Sequence, residues 1–199
     1  MPETATTGEL EAFADLVWQA CDGWLVVTEL PSRRSHWVPP GEGAPAIVAA
    51  VNACAPDQNV YIGVASRRHR TGSGRGKAGD CAELPALVVD VDRADGVHAT
   101  ELALPSTRAD LDDLVARFPL APTAVIDTGG GWHLWWVLDE PVATDDPATG
   151  ELLERWGATW LRLGAETGWH LDNVWDVARI MRLPGTLNVK CDPPRPVHL

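Results

Sequence analysis

Asp90 and Asp92 end an apolar run at residues 86–92, ALVVDVD, with a single valine between them. A β-strand repeats every two residues, so the two carboxylates project from one face while Val89 and Val91 point the other way. Adjacent like charges raise each other's pKa unless something positive compensates, and hard oxygen donors suit Mg²⁺ or Mn²⁺. A strand end running into a polar turn is the other reading of the same residues.

Three further groups could join that chemistry. Gly129, Gly130 and Gly131 precede Trp132 and His133, and glycine permits close backbone approach of a ligand next to an emerging histidine. A strand histidine can equally be structural. Residues 171–190, LDNVWDVARIMRLPGTLNVK, carry Arg179 and Arg182 three apart on an expected helix, with Lys190 beyond a Pro-Gly turn. Guanidinium forks bind phosphate oxygens in pairs, so this cluster suits a polyphosphate. A surface ion pair between Asp176 and Arg179 is the plainer alternative. Finally, residues 67–77, RRHRTGSGRGK, form a glycine-rich basic loop holding Arg67, Arg68, Arg70, Arg75 and Lys77. It is not a phosphate-binding P-loop: Thr71 stands where the first glycine belongs, and Ala78 rather than Ser or Thr follows Lys77.

The elements that must position these residues are legible from periodicity. Residues 9–21 read as an amphipathic helix with Leu10, Phe13, Leu16, Val17 and Ala20 on one side. Residues 24–28 read as a strand, turned at Pro31 and Ser32 toward a partner at 32–38. A helix is expected at 44–54 and a strand at 59–65. Beyond the acidic strand, Ser106 or Thr107 caps a helix through Arg117, and strands at 124–126 and 132–138 make a hairpin around the glycines. A long helix runs from Pro147 to Gly164. Residues 169–172 read as a short extended piece, residues 173–181 as a helix, and the tail as extended. Strands and helices mixed without βαβ alternation indicate an α+β domain on a curved, largely antiparallel sheet.

Composition narrows the field. At 199 residues, 45% hydrophobic and 22% charged, one globular domain over 1–199 is expected. No apolar run approaches a bilayer span and no signal-peptide core is present, which points to a soluble, cytoplasmic chain with no membrane partner. Cys21, Cys54, Cys81 and Cys191 are scattered, giving neither a zinc knuckle nor a disulfide framework. Of ten tryptophans, Trp18, Trp24, Trp156 and Trp160 fall at core-type positions. A net charge of −12 argues against a general nucleic-acid coat, yet the basic loop concentrates five of the sixteen Lys and Arg.

Residues 88–92 (VVDVD), 128–136 (TGGGWHLWW) and 176–190 (DVARIMRLPGTLNVK) resemble, in order and spacing, the three motifs of the archaeo-eukaryotic primase superfamily. The likeness is to primase-polymerase domains of phages, plasmids and other mobile elements, and it extends over residues 24–196. HWV at 36–38 and the basic loop also resemble that group. The resemblance implies a primase-polymerase catalytic core with an RRM-like half, acting as a template-dependent nucleotidyltransferase (DNA primase or DNA polymerase) on single-stranded DNA. It implies two Mg²⁺ or Mn²⁺ ions, with dNTP or NTP substrates. Carried over residue by residue, Asp90, Asp92 and Asp172 would be the metal-binding acids, with Asp176 the rival for the third place. Gly130, Gly131, His133, Arg179, Arg182 and Lys190 would bind the nucleotide, and Arg67, Arg68, Arg70, Arg75 and Lys77 the template. The zinc element of some relatives is missing. The last motif lies close to Leu199, so a longer protein with a C-terminal helicase or helical primase extension is expected. Two rivals stay open: a non-catalytic module binding single-stranded or origin DNA, and a metal-dependent nuclease. A rolling-circle initiator finds little support, because no His-x-His metal site occurs and Tyr61 is the only tyrosine.

Overall fold

Two larger antiparallel sheets, a two-stranded one and four α-helices make up the described residues of the computed structural model, 7–72, 74–96, 103–172 and 175–199. The chain opens with α1 (Thr7–Trp18), then β1 (Leu25–Leu30) and β2 (Ser35–Val38), the expected hairpin, in which Leu25 faces Val38 and Thr28 faces Ser35. Helix α2 (Gly43–Asn52) leads to β3 (Asn59–Gly63), and the basic loop follows, closing on a single 3-10 turn at Ala78–Asp80. The acidic strand is β4 (Glu83–Asp92). Helix α3 (Arg108–Val115) starts at Thr107, whose hydroxyl accepts from the Asp110 amide while the Asp110 carboxylate accepts from the Thr107 amide. Strands β5 (Ala124–Asp127) and β6 (Gly131–Ala143) form the glycine hairpin, and α4 (Pro147–Thr167) ends at Gly168 in the left-handed conformation. Short strands β7 (Ile180–Arg182), β8 (Leu187–Asn188) and β9 (Arg195–Pro196) complete the order.

Strand order is β2-β1-β3-β7 in one sheet and β4-β6-β5 in the other, with β8 and β9 paired separately. The second sheet is a central layer covered on both faces. Trp135 and Trp136 are consecutive on β6 and therefore point oppositely. Trp135 packs edge-on against Phe13 and Trp18 of α1, at centroid separations of 5.1 and 5.7 Å. Trp136 joins Phe118, Trp156 and Trp160 on the α3/α4 side. Trp156 also donates from its indole nitrogen to the Val88 carbonyl at 3.0 Å, which ties α4 to β4. Trp18, Trp156 and Trp160 are buried as expected, while Trp24 is half-buried.

One expected element is different. Residues 175–179 form a turn rather than a helix, and residues 180–182 join the first sheet as β7, with Arg182 opposite Tyr61 and Ile180 opposite Gly63. The open edge of β3 supplies backbone partners that a short helix would have had to find within itself. Arg179 and Arg182 therefore do not share a helix face. Residues 169–172 are irregular, with the His170 amide donating to the Ala103 carbonyl at 2.8 Å. No helix among the described residues is long and apolar enough to cross a membrane.

Gly131 is required by the β4–β6 pairing itself. A Cβ added there would lie 2.3 Å from the Val91 carbonyl oxygen and 2.9 Å from the Asp92 Cα, and neither backbone group can yield cheaply. Gly131→Ala is expected to cost about 1–3 kcal/mol in urea unfolding. Gly150→Ala, in the first turn of α4 where an added Cβ meets nothing within 4 Å, is expected to be neutral or stabilising.

Candidate nucleotide and metal site

The chemistry-bearing residues of the two sheets meet in one open cleft, lined by Tyr61 of β3, Asp90 and Asp92 of β4, His133 of β6, Arg182 of β7, and Thr128, Gly130, Asn188 and Lys190 from loops and β8. Antiparallel register sets the centre of it. Asp90 is the cross-strand neighbour of His133, and Asp92 that of Gly131. Cross-strand partners share a face, so the Asp90 carboxylate and the His133 imidazole stand side by side, Oδ1 to Nε2 at 3.6 Å. Both acids are half-buried, whereas His133 is only 5% exposed. Burial, and then the nearby Arg182 and Arg179 cations, push the His133 pKa down to about 3. At neutral pH the imidazole is uncharged and acts as a hydrogen-bonding group.

Arg182 is a buried cation with a built seat. Its guanidinium lies over the Tyr61 ring, 4.8 Å from the centroid, and NH1 donates to Asn59 Oδ1 at 2.8 Å. The same Asn59 oxygen accepts from the Val189 amide at 3.2 Å, so one buried side chain fixes both Arg182 and the segment leading to Lys190. Asn188 does similar work from the other side. Its Nδ2 donates to the Thr128 carbonyl at 2.8 Å and its Oδ1 accepts from the Lys190 amide at 3.2 Å. Periodicity and motif reading assigned no role to Tyr61, Asn59, Thr128 or Asn188. The available signals were the only tyrosine of the chain inside an apolar strand, and polar residues within the quoted segments.

The glycines divide their work. Gly131 is needed by the sheet. Gly129 has φ +76°, takes the Asp127 carboxylate on its amide at 2.8 Å, and would meet the Arg195 Cβ at 2.7 Å if it carried a side chain. Only Gly130 lines the cleft, with 3.5 Å between its notional Cβ and Asn188 Nδ2.

The remaining sequence candidates lie elsewhere. Asp172 is exposed, meets His170 Nε2 at 3.3 Å, and does not line the cleft. Asp176 accepts from the Ala178 amide at 3.0 Å and, with Arg179, borders a groove beside Val64, Leu84 and Trp156. Arg179 nonetheless bears electrostatically on His133.

Arg67 needs correction. It is fully buried, its Nε donates to the Arg75 carbonyl at 3.0 Å and its NH1 to the Ala65 carbonyl, so it anchors the basic loop from beneath and is not presented to a template. Arg70 and Lys77 are exposed, Arg75 is half-buried, and Arg68 pairs with Asp145 at 2.9 Å. Arg67→Ala is expected to lower stability by about 3 kcal/mol in chemical denaturation, because buried carbonyls lose their donors. Arg70→Ala and Lys77→Ala should stay within about 0.5 kcal/mol of the parent.

No protein-family model matches the chain, and no curated protein matches it by sequence. Solved structures do match by shape. The primase-polymerase domain of cyanophage S-2L aligns at TM-score 0.55 and 15% identity, over 98% of this chain and 89% of that one. The primase RepB′ aligns at 0.55 and 15%, over 97% of this chain and 55% of that one. The polymerase domain of Mycobacterium tuberculosis ligase D aligns at 0.51 and 15%, over 92% and 75% respectively. The sheets with their helices thus share the fold of these primase-polymerase, primase and ligase polymerase domains.

Proposed function

We propose that this chain is a template-dependent nucleotidyltransferase that makes or extends primers on single-stranded DNA from dNTPs or NTPs. The observation that carries the reading is the convergence, in one cleft, of two carboxylates on one strand face with a neutral imidazole and the cations Arg182 and Lys190. The all-oxygen pair Asp90 and Asp92 fits hard cations, since two half-buried acids side by side favour a compensating Mg²⁺ or Mn²⁺. When bound, such ions supply activation of the attacking hydroxyl and neutralisation of phosphate charge. Asp90 and Asp92 would hold them. Asp172, the sequence candidate for the third acid, stands exposed beside His170 and outside the cleft lining, so the proposed ion site rests on Asp90 and Asp92, and Asp172 would join it only by moving toward them.

The other roles follow from charge and burial. Arg182, preset by Asn59 and Tyr61, and Lys190 at the mouth would bind triphosphate oxygens, with Arg179 adding positive potential. The Gly130 backbone and the His133 ring offer neutral hydrogen-bonding groups, which position phosphate oxygens without competing with the metal charge. The exposed part of the basic loop, Arg68, Arg70, Arg75 and Lys77, would track the template backbone. The fold likeness to a RepB′ catalytic domain solved with initiator DNA and to the ligase D polymerase domain solved with DNA supports a DNA partner.

The test is incubation with primed and unprimed single-stranded templates, Mg²⁺ or Mn²⁺, and labelled dNTPs or NTPs. Incorporation is expected, and Asp90→Ala with Asp92→Ala should reduce it by on the order of 10⁴-fold with the circular-dichroism spectrum unchanged. DNA binding without incorporation under either metal would instead identify a non-catalytic replication module. Degradation of labelled DNA without nucleotides would identify a nuclease.

A further inference from the structure

We propose that Glu29, His36 and Cys54 form a site for a zinc-type transition-metal cation, built from residues none of which lines the Asp90/Asp92 cleft. The three come from separate elements: Glu29 near the end of β1, His36 on the neighbouring β2, and Cys54 just beyond α2. A carboxylate oxygen, an imidazole nitrogen and the sulfur all lie within 4.8 Å of one another.

Glu29 is only 1% exposed, which is costly for a carboxylate unless it is compensated. Its Oε1 meets His36 Nε2 at 2.7 Å and stands 4.0 Å from Arg34, and its Oε2 accepts from the Ser32 hydroxyl at 3.2 Å. That arrangement would suffice for a buried acid–imidazole pair. The sulfur adds nothing to such a pair, where it donates only to the Ala50 carbonyl at 3.3 Å. It does complete an oxygen, nitrogen and sulfur donor set.

Three protein ligands with a fourth position left to solvent is a pattern zinc accepts, at bonds of about 2.0–2.3 Å. Tetrahedral geometry then places the donors roughly 3.3–3.8 Å apart. The present separations close on that with side-chain adjustments of about 1 Å. Thiolate and imidazole favour Zn²⁺ or Co²⁺ over Mg²⁺, so this site and the all-oxygen pair would select different cations. A surface groove bordered by Ser35, His36, Trp37, Ala46, Ala50 and Arg70 leaves the His36 side of the site open to a hydrated ion. Binding would clamp the β1–β2 hairpin to the end of α2 and release the Cys54 thiol proton.

The test titrates Co²⁺, as a spectroscopic probe, into the full chain carrying Asp90→Asn and Asp92→Asn to remove the carboxylate pair. One equivalent should produce a near-ultraviolet thiolate-to-cobalt charge-transfer band with tetrahedral visible bands, displaced by Zn²⁺. Cys54→Ser, checked for folding by circular dichroism, should lose the charge-transfer band and bind at least tenfold more weakly. Zn²⁺ should raise the Tm of the parent but not of Cys54→Ser or His36→Gln. Absence of the band at one equivalent, or its retention in Cys54→Ser, would overturn the proposal and leave Glu29 and His36 as a buried pair.

Discussion

The pairing of β4 with β6 is the constraint on which everything else rests. It sets Asp90 beside His133 and Asp92 beside Gly131. A slip of one residue would turn the acids toward the Phe118, Trp156 and Trp160 cluster and bring His133 with the wrong set of side chains. Two features prevent it. Trp135 and Trp136 are committed to opposite aromatic clusters, and the β4 backbone approaches Gly131 too closely for any side chain. The packing of large rings that do not themselves line the cleft thus sets the geometry of the small polar groups inside it.

Within that frame, the cleft manages its charges by burial. An acidic chain brings one buried guanidinium, Arg182, toward two carboxylates, and supports it with an amide oxygen, an aromatic face and the charge of Asp90. Burial depresses both the Arg182 and the His133 pKa from their ordinary values. The histidine gives up its charge as a result and the arginine, whose ordinary pKa is so high, does not. The outcome is a site with a negative side at β4 and a positive side at β7, separated by a neutral imidazole.

Loops are held by buried and half-buried charged residues in a similar way. Arg67 binds the carbonyls at both ends of the basic loop, and Glu83 accepts from the Asp22 and Gly23 amides and the Ser66 hydroxyl. At the hairpin tip, Arg93 lies over the Trp132 ring and Arg195 donates to the Gly129 carbonyl at 2.8 Å. The connecting segments of this fold are therefore organised from underneath, leaving a smaller set of cations on the surface than the residue count suggests.

By itself the sequence determined the local elements and the main chemical cast. Periodicity located the four helices and the longer strands, the alternation in β4 placed Asp90 and Asp92 on one face, and the motif order brought Gly130, His133, Arg182 and Lys190 into consideration. These follow from rules with a reach of a few residues. Tertiary structure decided the rest, because it depends on partners distant in the chain. The β3 edge drew residues 180–182 out of an expected helix, since unsatisfied strand backbone outweighs a weak local propensity. Asn59 became the seat of Arg182, 123 residues away, and Tyr61 its platform. Arg67, indistinguishable by spacing from Arg68 and Arg70, was buried because carbonyls surround its position. Two of three consecutive glycines proved to serve packing and turn geometry rather than the cleft, since what a missing Cβ makes room for is visible only when the opposing backbone is in place.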